Sequence, residues 1–186
     1  MSITREKIIE LGEDLIRTQG YNAFSYQDIS SKLGIKNAAV HYYFPSKENL
    51  GTSIVKTNIQ RFEEMVDNMH SRGFDEWHQL EVFIKIYIKS HREQKLCIVG
   101  SLGPDFNTLN ETTKVELKKM TDIILKWLTD ILTKGKEKNI FAFKEEPNNK
   151  ALIVFTSLVA SLQLARIVDK ADFKSIYQHL IEDLKP

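Results

Sequence analysis

Apolar positions along this chain recur at helical spacing, and the alternation expected of strands is absent. The pattern predicts an all-α protein of about nine helices. The first is expected over residues 3–18, with Ile8, Leu11, Leu15 and Ile16 on one face. Gln19-Gly20-Tyr21 ends it, Gly20 fitting a left-handed C-cap. Ser25 is placed to cap a short helix over 26–33, with Asp28 as a shortened capping-box carboxylate. Gly34 allows a tight turn into a second short helix over 37–43, and Phe44-Pro45-Ser46 breaks the chain again. A long helix is then expected over 47–70, ended by Ser71-Arg72-Gly73.

Further helices are predicted over 75–92, over an irregular stretch 98–109 interrupted by Gly103-Pro104, and over 111–138. The last of these carries Ile123/Ile124, Trp127/Leu128 and Ile131/Leu132 at four-residue intervals. Residues 148–168 are apolar almost all round, which predicts burial on two sides. Residues 173–184 form the closing helix.

Composition narrows the function more by exclusion than by assertion. The formal net charge is +1, so positive charge for a nucleic-acid partner has to be local. Cys97 is the single cysteine, which rules out an intrachain disulfide and fits a reducing compartment. The first residues show no signal-peptide pattern. The apolar stretch from Ala151 to Ala165 is interrupted by polar residues and falls short of the ~20 residues of a membrane span. A cytoplasmic protein with no membrane partner is expected. His41, His70, His78, His91 and His179 are scattered without metal-ligand spacing, and no phosphate loop, dinucleotide fingerprint or nucleophile elbow occurs. The expectation is no enzyme activity, no catalytic residues, no metal and no cofactor.

The informative segment is Ser25 to Leu50. Two short helices around a turn glycine form a helix-turn-helix pattern, whose second helix fits the major groove. In that helix Ala38 and Ala39 permit close approach to base edges, and Asn37 and His41 carry hydrogen-bonding groups. Tyr42 and Tyr43 reach phosphates, and Lys47 adds charge at the positive start of the next helix. In an arbitrary helical protein such a tyrosine pair is packing, and here one of the two is expected to face inward. Val40 and Phe44 read as core.

The run Leu33-Gly34-Ile35-Lys36-Asn37-Ala38-Ala39-Val40-His41-Tyr42-Tyr43-Phe44-Pro45-Ser46-Lys47-Glu48-Asn49-Leu50 resembles the signature of the TetR family of regulators. The resemblance extends back through Ala23-Phe24-Ser25-Tyr26-Gln27-Asp28-Ile29 and the first helix. It implies a three-helix DNA-binding domain over 1–50, linked through helix 47–70 to a ligand-binding and dimerisation domain over 51–186. It places Ser25, Tyr26, Lys36, Asn37, Ala39, His41, Tyr42, Tyr43 and Lys47 at the DNA surface. It further implies a homodimer through the last two helices that represses from operator DNA and is released by a small effector. Ala38-Ala39 departs from the polar or Gly/Pro residues usual at this point, so base preference does not carry over.

Effector-site candidates are Trp77, Phe83, Tyr87, His91, Leu102, Phe106, Ile124, Trp127, Phe155 and Gln163, each of which also suits a core. Phe106 and Trp127 are preferred, because the irregular Gly103-Pro104 stretch is expected to leave space beside them. They imply an apolar or aromatic effector. The alternative is a thiol sensor of oxidants or electrophiles at Cys97, in a stretch resembling the start of the family's sixth helix, with Leu96 in place of its glycine. Against it stands the ordinary role of a free cysteine as a small buried hydrophobe.

Overall fold

The structure is a computed structural model and describes residues 5–168 and 173–185. Every regular element among them is helical. The α-helices are α1 (Arg5–Gln19), α2 (Tyr26–Leu33), α3 (Asn37–Tyr43), α4 (Lys47–Ser71), α5 (Glu76–Arg92), α6 (Ile98–Leu102), α7 (Glu111–Glu137), α8 (Pro147–Leu164) and α9 (Phe173–Glu182). Single 3-10 turns occupy Tyr21–Ala23 and Phe106–Thr108. Two elements depart from the periodicity: α6 is one short helix followed by a separate 3-10 turn, and α8 ends at Leu164. Beyond Leu164 the backbone tightens, with Arg166 N–H bonding back to the Gln163 carbonyl at 3.2 Å and Ile167 N–H to the Leu164 carbonyl at 2.9 Å. The start expected at residue 3 lies outside the described residues, as do 169–172.

The chain packs as two compact units. The first comprises the described residues of Met1–Arg61 together with Ile98–Met120, so α6 and the first turns of α7 pack with the helix-turn-helix. Its core combines Ile8, Leu15 and Ile16 of α1 with Ile29, Val40, Phe44, Leu50, Ile54 and Leu102. Gly51 is required here: a Cβ would stand 2.9 Å from the Tyr21 ring, so α4 accepts that ring only with glycine. Thr52 and Thr113 share a buried hydrogen bond of 2.7 Å, and Lys56 pairs with Glu116 at 3.4 Å.

The second unit comprises Phe62–Cys97 and the described residues of Thr121–Pro186. Its centre is aromatic: Phe62, Phe83, Tyr87, Trp127 and Phe155 are all buried. Phe83 contacts Trp127 and Tyr87 at centroid distances of 5.2 Å. Phe62 stands edge-on to Trp127 at 5.5 Å. Chain reversal after α7 depends on Gly135, whose missing side chain admits Phe141; a Cβ there would lie 2.1 Å from the ring. Lys150 is buried and paired with Asp183, fastening the start of α8 to the end of α9. No described helix is long and apolar enough to cross a membrane.

Candidate nucleic-acid interface

The interface is built from α2, the turn at Gly34 and α3. Asp28 accepts from the Ser25 backbone N–H at 2.7 Å and from its hydroxyl at 2.8 Å, fixing the start of α2. Those bonds hold the Asp28 carboxyl below its usual range. Gly34 closes α2 with φ 65°, a left-handed conformation that glycine adopts without steric cost. Ile35 N–H then bonds back to Ser30 at 2.9 Å and aims the chain into α3.

Asn37 opens α3 and ties it to α2. Its Oδ1 accepts from Ser30 Oγ at 2.5 Å, and its Nδ2 donates to Gln27 Oε1 at 3.0 Å. Gln27 in turn donates to Ser31 Oγ at 3.2 Å. This network presents Gln27 and Asn37 together on the exposed surface, each keeping hydrogen-bonding capacity. Sequence reading did not single out Gln27; its position ten residues before Asn37 carries no local signal.

The inner and outer faces of α3 separate sharply. Val40 and Phe44 are buried, whereas Tyr42 is 82% exposed and Tyr43 is half-buried with its ring 5.2 Å from that of Tyr42. Lys36, Asn37, Ala38 and His41 are exposed, and Ala39 partly so. Ser25 is exposed at the cap of α2.

Two of the expected surface residues are placed differently. Tyr26 is 8% exposed, and its hydroxyl donates to the Phe44 carbonyl at 2.9 Å. Burial, then the charge of Glu48, pushes its phenol far above the ordinary value, so it stays protonated. The side chain thus closes the domain, and Tyr26 offers the surface only its main chain. Lys47 folds inward: its ammonium donates to the Phe24 carbonyl and lies 4.2 Å from the Phe24 ring centroid and 5.0 Å from that of Tyr21. Cation–π attraction explains why it turns back from solvent. Desolvation lowers its affinity for a proton, against the opposing charges of Asp105, Asp28 and Glu48.

The candidates for an effector site fall into different places. Phe83, Tyr87, Trp127 and Phe155 converge in the second unit, joined by Phe62, which the sequence did not point out. The Trp127 indole N–H is buried and meets no acceptor among the described residues. Ile124 is buried in the same unit. Trp77 packs on Phe141 at 5.8 Å, His91 stacks on Phe173 at 4.8 Å, and Gln163 is half-buried. Leu102 and Phe106 belong to the first unit, where the Lys118 ammonium lies 5.6 Å from the Phe106 ring centroid. Cys97 is half-buried immediately before α6.

Comparison with known proteins agrees with this geometry. Residues 8–52 match the family model described as bacterial regulatory proteins, tetR family. The repressor NemR of Escherichia coli is 20% identical over 86% of this chain and 83% of its own. An uncharacterized HTH-type transcriptional regulator from the lacX 3' region of Lactococcus lactis is 24% identical over 63% of this chain. That match spans only 62% of the relative's length. A TetR-family regulator from Agrobacterium tumefaciens superposes with a TM-score of 0.90 at 26% identity, covering 98% of this chain and 97% of that one. The helix-turn-helix of this chain is therefore that of the bacterial regulatory proteins of the tetR family, and over nearly its whole length the chain shares the fold of a TetR-family transcriptional regulator.

Proposed function

We propose that the chain is a homodimeric repressor that leaves its operator when a small apolar or aromatic effector binds. The observation that carries the reading is the face of α3. A helix anchored by Val40 and Phe44 holds Tyr42 almost wholly in solvent, beside Asn37, His41 and Lys36. An aromatic side chain held out in this way has the reach for operator phosphates, and its neighbours carry the hydrogen-bonding groups that read base edges. Ser25, Ala39 and Tyr43 complete the surface; Tyr26 and Lys47 contribute by holding it in shape.

The division of labour is residues 1–50 for DNA and 51–186 for sensing and dimerisation. α8 leaves Leu152, Ile153 and Leu164 exposed, and a groove of about 690 Å³ runs beside it, between Ser157 and Ile176, His179 and Leu180 of α9. This surface supports a two-fold interface in which α8 and α9 face their own copies. Such a dimer presents two α3 helices to half-sites roughly 34–36 Å apart.

The Phe62, Phe83, Tyr87, Trp127 and Phe155 cluster is the effector site of this reading. Its rings favour an apolar body, and the unpaired Trp127 N–H favours an effector with a hydrogen-bond acceptor. Binding acts by population shift, since an effector that prefers one dimer state and an operator that prefers another weaken each other's binding reciprocally. A screen of neutral aromatic compounds for release of bound operator duplex tests this, with Trp127→Phe and Cys97→Ser in parallel. Release that is weakened in Trp127→Phe and untouched in Cys97→Ser is expected. Release abolished only in Cys97→Ser assigns sensing to the thiol instead.

A further inference from the structure

The link between α1 and α2 is held from outside. After Gly20, which takes φ 103°, Tyr21–Ala23 makes a single 3-10 turn whose Tyr21 N–H and Asn22 side-chain amide are met by the loop beyond α6. Asp105 Oδ2 accepts from the Tyr21 backbone N–H at 3.1 Å. Asp105 Oδ1 accepts from Asn22 Nδ2 at 3.0 Å, and the same amide donates to Thr108 Oγ1 at 3.0 Å. The Thr108 hydroxyl is already turned by its own bond to the Asp105 carbonyl at 2.8 Å, which leaves a lone pair for Asn22.

Asp105 sits at the N-cap of the Phe106–Thr108 turn, where a carboxylate ordinarily binds the turn's own N–H groups. It makes no such bond. Both oxygens reach instead across the unit to residues more than eighty positions earlier. The path continues towards the operator face. The Tyr21 ring, admitted by Gly51, lies under the Lys47 ammonium, and Lys47 holds the Phe24 carbonyl, one residue before the cap of α2.

We propose that Asp105 is a positioning residue for operator binding, which through Tyr21 and Asn22 fixes Lys47 and the start of α2. The inference rests on the operator-binding reading and adds a residue, in the loop after α6, that holds that surface in shape. It opposes simple electrostatics. A carboxylate near Lys47 repels DNA, so removing its charge would by itself tighten every DNA complex. Loss of positioning acts in the other direction and only on the specific complex.

The test uses the intact protein, an operator duplex selected from a random-sequence library and an unrelated duplex of equal length, with affinities read by fluorescence anisotropy at two salt concentrations. Asp105→Asn is expected to weaken operator binding about 5- to 20-fold, the effect of disturbing one part-buried and one exposed hydrogen bond. Binding to the unrelated duplex stays equal or tightens slightly. Asn22→Ala moves the same way, and the double variant is little worse than Asp105→Asn alone, because the two share their bonds. Partial misfolding would weaken both duplexes alike, so the ratio of affinities isolates positioning. Operator binding by Asp105→Asn at wild-type strength or tighter overturns the proposal, as does additivity in the double variant. A wild-type protein that selects no duplex overturns the operator reading itself.

Discussion

Tyr26→Phe separates a residue that touches DNA from one that shapes the surface touching it. The phenol is 8% exposed, and its hydroxyl reaches the Phe44 carbonyl at 2.9 Å, where α3 ends. Phenylalanine fills the same space, so no cavity opens and the ring packing is kept. What is lost is one buried hydrogen bond, and the Phe44 carbonyl is left without that donor. Leaving a buried acceptor unsatisfied costs roughly 1–3 kcal/mol, which for a chain of this size lowers the melting temperature by several degrees. Trp77 and Trp127 both belong to the second unit, so tryptophan fluorescence reports there. Urea unfolding followed by far-ultraviolet circular dichroism, with amide exchange over residues 26–44, reads the first unit. In the same protein, below the onset of unfolding, the dependence of operator affinity on salt is expected to match wild type. Unchanged stability combined with a clear loss of operator affinity would refute this reasoning and return the hydroxyl to the DNA surface.

Further outcomes follow from the second unit. Leu164→Glu places a charge on the exposed apolar face of α8 and is expected to yield monomers by sedimentation, with at least tenfold weaker operator binding, since paired half-sites require both α3 helices. Burial pushes the Glu76 carboxyl up, but the 2.6 Å bond from Lys138, a backbone hydrogen bond and the Lys138 charge together more than offset this, and the group rests below its ordinary value. A carboxyl depressed on folding stabilises the protein at neutral pH, and that contribution is lost as pH falls through the folded value. Lys138→Gln should therefore flatten the acid limb of a stability-against-pH curve; an identical limb would contradict the assignment.

The helix-turn-helix was legible because its signals are local. Ser25 and Asp28 at three-residue spacing, the left-handed Gly34 and the inward pair Val40 and Phe44 all act within a turn or two of the chain. Tyr42 and Tyr43 divide between solvent and partial burial, in keeping with the helical period. Tyr26 and Lys47 read as surface residues because their polar ends suit phosphates. The partners that draw them inward, Phe44 and Phe24, lie far along the chain and are visible only once it is folded. Asp105 is the extreme case, since its bonds span more than eighty residues. Burial of Lys150 was equally silent, because a lysine near the start of an apolar helix gives no hint of Asp183 opposite it. The periodicity of residues 98–120 gives helices but not their allegiance. Their packing with the helix-turn-helix is a tertiary fact, made by Leu102, Leu109 and the Thr52–Thr113 bond.

The central claim is that the exposed face of α3 binds a specific operator as part of a dimer. Its most direct test is selection of duplexes from a random-sequence library by the intact protein, followed by anisotropy titration of wild type and Tyr42→Ala across salt. The account predicts enrichment of a two-fold symmetric site, binding as a dimer that weakens steeply as salt rises, and at least a tenfold loss in Tyr42→Ala, whose stability stays within about 0.5 kcal/mol of wild type. Failure to enrich any sequence, or operator binding indifferent to both salt and Tyr42, would contradict it.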